Sequence, residues 1–169
     1  LLLTLLLPFL GYTQINTFPW THDFENGTQG MEQDTTDDGN WLLKQGSTSS
    51  ANTGPQGDHT TGNGNYFYVE ASGTGVGYPN MVFTTYTPTF DVSSTPGQIV
   101  SFWYHMYGST MGDLEVGIVD NNGYTFLDLI SGDQGDEWHL AYYPITSTDT
   151  FKIQIKGTTG TLYFSDICI

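Results

Sequence analysis

Acidic and imidazole side chains carry most of the chemistry this sequence could do, and their spacing decides which kind. Asp58 and His59 sit together inside "GPQGDHTTGNGN", between glycine-rich turns. A carboxylate beside an imidazole at a tight turn suits a catalytic pair, a metal site or a structural corner. Nucleophilic catalysis has little support. There is no Gly-x-Ser-x-Gly elbow and no His-Glu-x-x-His, and His22, His59, His105 and His139 lack ligand spacing. His105, between Tyr104 and Met106, is expected to be structural. Paired carboxylates of a retaining glycosidase stand roughly 5–5.5 Å apart. Glu32 with Asp34, and Asp113 with Glu115, have the i, i+2 spacing that shares a strand face. The first pair lies in a polar loop and the second at a strand start, so both are expected to be solvated.

A calcium site asks less of spacing, because the ion takes 6–8 oxygens and accepts them from distant segments. Glu25 before Asn26-Gly27, Asp58 inside the glycine turn and Asp166 in the last apolar stretch are the candidate ligands. Asp166, among Phe164 and Ile167, is costly to bury alone. Pairing of the first and last strands would bring Glu25 to Asp166, and a structural calcium would relieve their repulsion. The competing reading has Asp166 accepting backbone N–H bonds and Glu25 in water.

Composition narrows the class. The chain has 169 residues, 37% of them hydrophobic and 15% aromatic, with 21 glycines. That suits one all-β domain with many turns. Three lysines against eighteen acids give a net charge of −15. Such a surface repels phosphate backbones, so nucleic-acid binding is excluded, while solubility and attraction of divalent cations are favoured. "LLLTLLLPFLGYTQ" is too short for a bilayer, which needs roughly 20 apolar residues. It reads as a signal-peptide remnant over residues 1–13, cut near Thr13 to leave Gln14 first. The mature domain then runs over 14–169, read as a piece of a longer secreted protein. The single cysteine, Cys168, between Ile167 and Ile169, is expected to be a buried, inert thiol.

These groups must be held by strands and turns. "TFPWTHDFENG" reads as a short strand ending in a turn, "MEQDTTDDGN" as an acidic loop and "WLLKQ" as a strand. Residues 46–65 form a long loop, and "YFYVEAS" is a strand. "NMVFTTYTPTFDV" breaks near Pro88, and "QIVSFWYHMYG" is the strongest strand signal. A hairpin turns at Asn121-Asn122-Gly123. Phe151, Ile153 and Ile155 alternate with Lys152, Gln154 and Lys156, so one face is buried and one wet. About ten strands, mostly antiparallel, predict a jelly-roll β-sandwich of two sheets.

"FENG" at 24–27, "GPQGDHT" at 54–60, "GNYFYVEAS" at 64–72, "FWYHMYGSTMGDLEV" at 102–116, "GDEWH" at 135–139 and "YFSDICI" at 163–169 resemble the MAM domain of meprins, neuropilins and receptor-type tyrosine phosphatases. The resemblance implies an extracellular, non-catalytic jelly roll acting in adhesion. It also implies a cation near the opening strand, the Asp-His-Thr turn and the closing strand, here Glu25, Asp58 and Asp166, which makes the turn a cation-braced corner with a structural His59. Most animal members carry disulfides, so one cysteine fits a bacterial relative.

Two functions compete. One is a secreted adhesion or protein-interaction module. The other is a carbohydrate-binding module appended to a secreted hydrolase, with Trp20, Trp41, Tyr78, Tyr86, Tyr107 and Tyr124 as stacking rings. Three or more coplanar exposed rings would favour sugar. Asn26-Gly27-Thr28 is an N-glycosylation sequon.

Overall fold

The computed structural model describes residues 14–72, 79–162 and 164–169, so the expected signal remnant over 1–13 lies outside them. Eleven strands follow in order: β1 (Glu32–Gln33), β2 (Leu42–Gln45), β3 (Asn65–Val69), β4 (Val82–Tyr86), β5 (Phe90–Asp91), β6 (Ile99–Met106), β7 (Asp113–Asp120), β8 (Gly123–Ser131), β9 (His139–Pro144), β10 (Thr150–Thr158) and β11 (Ile167–Cys168). The first sheet runs β1-β4-β10-β7-β8, with β5 also on β10, and the second runs β2-β3-β11-β6-β9. The expected all-β jelly-roll sandwich of two antiparallel sheets is the fold.

Alternation builds the core. Phe151, Ile153 and Ile155 of β10 are buried between the sheets, facing Phe67, Val69, Met106 and Ile167. Each large apolar side chain taken from water contributes about 1.5–3 kcal/mol. Lys152 and Lys156 face outward, where each pairs with an acid: Glu32 at 2.6 Å and Glu115 at 2.8 Å. Tyr124 also donates its hydroxyl to Glu115. The carboxylates of both i, i+2 pairs are thus spent on the outer face of the first sheet. The Asn121-Asn122 turn closes the β7–β8 hairpin, and a bulge opposite Val116 and Gly117 shifts its register.

Three local expectations change. Residues 17–27 form no strand; Pro19 has no amide to give, and Phe18, Trp20 and Phe24 instead wedge against the core. The acidic loop opens as β1 and then substitutes carboxylates for strand partners: Asp38 accepts from the Val82 amide at 2.8 Å and Asp37 from that of Thr84. Among the described residues the chain ends do not pair. Ile15 bridges Phe90 on the first sheet, whereas β11 inserts between β3 and β6 in the second.

Candidate functional site

The 46–64 loop crosses the outer face of the second sheet, and Asp58 shapes its turn. One Asp58 oxygen accepts the Thr60 and Thr61 amides at 2.9 and 2.8 Å. The other accepts the Thr61 hydroxyl at 2.8 Å and the Gly64 amide at 2.5 Å. Burial pushes this carboxyl up, but the hydrogen bonds from Thr61, Gly64 and Thr60 together outweigh it and hold the group below the usual carboxylate range. Glu25 reaches the same corner, where its Oε1 accepts the Asn65 amide at 2.6 Å. Gly64 stands between the two acids. A Cβ there would collide with Glu25 Oε1 and come within 3.1 Å of Asp58 Cγ, so the bare backbone is what lets them meet.

Asp166 lies elsewhere. It sits beside Ala71, past the far end of β3, six residues from Asn65; that is about 20 Å at ~3.3 Å per residue. Its Oδ1 accepts the Ala71 amide at 3.0 Å, and its own amide donates to Thr53 Oγ1 at 2.9 Å. The residue is 0% exposed, and Oδ2 has no hydrogen-bond partner among the described residues. The Thr48 hydroxyl stands nearby but donates to the Thr53 carbonyl at 2.9 Å. Burial pushes the Asp166 carboxyl up to about 6, with the Ala71 amide opposing and the Glu70 charge assisting.

The structure therefore brings Glu25 and Asp58 together and leaves Asp166 apart. Among the described residues, no group of three or more His, Cys, Asp or Glu side chains is placed to hold a metal. A calcium cradle built from all three acids does not fit this geometry. The Glu25–Asp58 corner is already supplied with amide donors, whereas Asp166 Oδ2 still calls for a proton or a cation.

His59 is a clamp. Its ring stacks on Trp103 with centroids 3.6 Å apart and planes 11° apart. Beside it, the Trp138 indole donates to the Gly57 carbonyl at 3.2 Å. These contacts pin the loop over Tyr66, Tyr68 and Cys168. Cys168 is fully buried, and burial raises its thiol well above its ordinary range. His105 is buried too, and burial lowers its pKa against the opposing pull of Asp136, 3.2 Å from Nε2; it is a structural imidazole.

Beyond the loop, the same outer face stays open. Trp103 pairs with Leu140 and Ser101 with Tyr142 across β6 and β9, so these side chains share one surface with Ile99. Exposure is 64% for Ile99, 37% for Trp103, 52% for Leu140 and 65% for Tyr142. A cleft of about 540 Å³ adjoins it, running from Trp103 past Val100 and Phe102 to Ile153 and Ile155. Among the described residues, β6 meets β11 only at His105 and Met106, so the cleft follows the part of β6 that β11 does not cover.

Few of the rings expected to stack a ligand are free to do so. Trp41 is core, 2% exposed, with its indole N–H on the Phe83 carbonyl at 2.9 Å. Trp20 and Tyr107 are half-buried and Tyr86 donates to Asp34; Tyr124, 46% exposed, rests one face on Gly117 on the other sheet. Tyr78 is outside the described residues. Sequence reasoning missed Trp103, Leu140 and Tyr142, because both β6 and β9 carry apolar residues on both faces and read as fully buried. The polar residue at Ser101, on the Trp103 face, was the available signal.

A family model described as "MAM domain, meprin/A5/mu" matches residues 22–169. "Thyroid hormone-induced protein B" of Xenopus laevis is 35% identical over 162 residues, covering 92% of this chain and 22% of that protein. "MAM domain-containing glycosylphosphatidylinositol anchor protein 1" of Rattus norvegicus is 34% identical, covering 83% and 15%. The chain thus spans less than a quarter of either relative. Among solved structures, the K1 cleaved adhesin domain of Lys-gingipain from Porphyromonas gingivalis W83 aligns with a TM-score of 0.59 at 16% identity, over 87% of this chain and 91% of that one. TmCBM61 in complex with beta-1,4-galactotriose aligns at 0.50 and 13% identity, over 86% and 88%. At those identities the two structures speak to the fold alone.

Proposed function

The chain belongs to the MAM domain family, and from that premise we propose that it is a non-catalytic extracellular module that binds a protein partner through the open face of β6 and β9. The observation that carries this reading is the contiguous apolar surface of Ile99, Trp103, Leu140 and Tyr142. Exposed apolar surface of this kind, rimmed by polar residues, marks contact sites. The net charge of −15 favours a partner with a basic surface and speeds its approach. The non-catalytic reading is supported by the acids themselves: Glu25 and Asp58, the pair brought together, are occupied by backbone amides.

A carbohydrate reading has in its favour the exposed ring of Tyr142 beside Trp103, and a lone exposed ring, Tyr124, on the other sheet. Yet His59 already covers one face of Trp103, and three open coplanar rings are not assembled there. A protein partner is the better match. The cation belongs to this proposal only at Asp166, whose Oδ2 would be one of its ligands; Glu25 and Asp58 are left out of it.

Cell binding separates the two readings. Beads coated with the domain should bind cells, lose that binding when surface proteins are trimmed by protease, and keep it after glycosidase treatment. Binding that survives protease and vanishes with glycosidase, together with hits on a glycan array, would replace the protein partner with a sugar.

A further inference from the structure

Asn26-Gly27-Thr28 is a motif that the interaction face does not use. We propose that Asn26 carries an N-linked glycan at the lip of the apolar cleft. The backbone of the turn is fixed: the Gly27 amide donates to the Phe24 carbonyl at 3.2 Å, and the Thr28 carbonyl accepts the Met31 amide at 2.9 Å with His22 Nε2 also at 2.9 Å. Gly27 holds φ at +88°, and a Cβ there would meet nothing within 4 Å, so the turn projects into open solvent. Neighbouring polar side chains are engaged: Asp23 accepts the Glu25 amide, and Glu25 accepts the Asn65 amide. Asn26 is exposed and, among the described residues, neither its amide nor the Thr28 hydroxyl has a hydrogen-bond partner. Both groups the modification requires are therefore free on a fixed backbone, with glycine rather than proline between them.

The co-reactant is a polyprenol diphosphate-linked oligosaccharide. Asn26 Nδ2 attacks the anomeric carbon of the sugar. The C–N bond forms as the bond from that carbon to the diphosphate oxygen breaks, the amide nitrogen releases one proton, and the polyprenol diphosphate leaves. Phe24 and Glu25 line the cleft, so the glycan emerges at its mouth and limits which partners can enter.

This inference rests on the extracellular reading, and the test keeps the two apart by supplying secretion. The full 169-residue chain is expressed behind a standard secretion signal in cultured animal cells. Digestion with peptide-N-glycosidase should lower its mass, and the peptide containing Asn26 should then carry Asp. Asn26→Gln and Thr28→Ala should both abolish the shift, and Thr28→Ser should keep it. The two losing variants guard against a folding failure in either. Secreted wild type with unmodified Asn26 overturns the proposal and leaves the interaction face standing. Glycosylated protein whose beads ignore cells would do the reverse.

Discussion

Replacing Trp41 with alanine lowers the unfolding free energy by about 3–5 kcal/mol. The indole is 2% exposed, packs against Phe67 with centroids 5.7 Å apart and fills the space above Gly157. Its loss opens a cavity between the two sheets. It also removes the indole N–H that the Phe83 carbonyl now accepts at 2.9 Å. Domains of this size are stable by about 5–15 kcal/mol, so the variant stands near the edge of folding. Urea titration should show a much lower midpoint. Tyr142→Ala, at 65% exposure, should move the midpoint little. Native-like stability in Trp41→Ala would mean that the indole is not core. Any binding lost in that variant reflects unfolding and says nothing about ring stacking.

Asp166→Asn stabilises the metal-free domain above pH 6. An aspartate raised from 3.8 to about 6 in the folded state ionises more readily when the chain unfolds. Its effect is therefore small near pH 4, grows as pH rises from about 4 to 6, and persists above that; wild type loses stability against the variant across the window. The gap corresponds to about 3 kcal/mol. Asparagine keeps the shape without the charge, so the difference between variant and wild type isolates this one group from the depressed carboxyls such as Asp58, which act alike in both proteins. An Asp166→Asn protein that gains nothing over wild type between pH 4 and pH 7 in metal-free buffer would refute this. Calcium reads the cation proposal in the same samples. At 100 times its dissociation constant it should add about 2.7 kcal/mol to wild type at pH 7.5 and nothing to Asp166→Asn. A wild-type midpoint indifferent to calcium and chelator removes the cation.

The sandwich was legible because its signal is local. Phe151, Ile153 and Ile155 alternate with polar neighbours, and that period admits only a half-buried strand. The Asp58 turn was legible for a similar reason: glycines, an aspartate and two threonines at short spacing are self-sufficient, and all the donors to Asp58 come from residues 60–64. The sequence reading brings Glu25 to that turn, as the structure does, but it also brings Asp166, which the structure places at Ala71 and Thr53 instead. Where Asp166 lands depends on which strands β11 enters between, and that is decided by two-residue pairings with β3 and β6 far away in the chain. The same limit hid the interaction face. Trp103 and Tyr142 belong to strands apolar on both sides, so exposure was set by where the 46–64 loop folds over the sheet and where it stops. His59, which holds that loop on Trp103, was foreseen as structural, but its partner was not.

Charge placed on the open face gives the most direct measurement. Beads bearing Leu140→Asp or Tyr142→Asp are compared with wild type for adhesion to the same cells, alongside Phe126→Asp on the exposed outer face of β8, at the far edge of the first sheet. All three positions are exposed, so folding should survive, as far-ultraviolet circular dichroism and melting would confirm. Adhesion should fall at least about tenfold for the first two, the scale of one lost contact of ~1.4 kcal/mol, and stay at the wild-type level for Phe126→Asp. Equal adhesion by all four proteins, or a loss confined to Phe126→Asp, would contradict the assignment of the β6–β9 face.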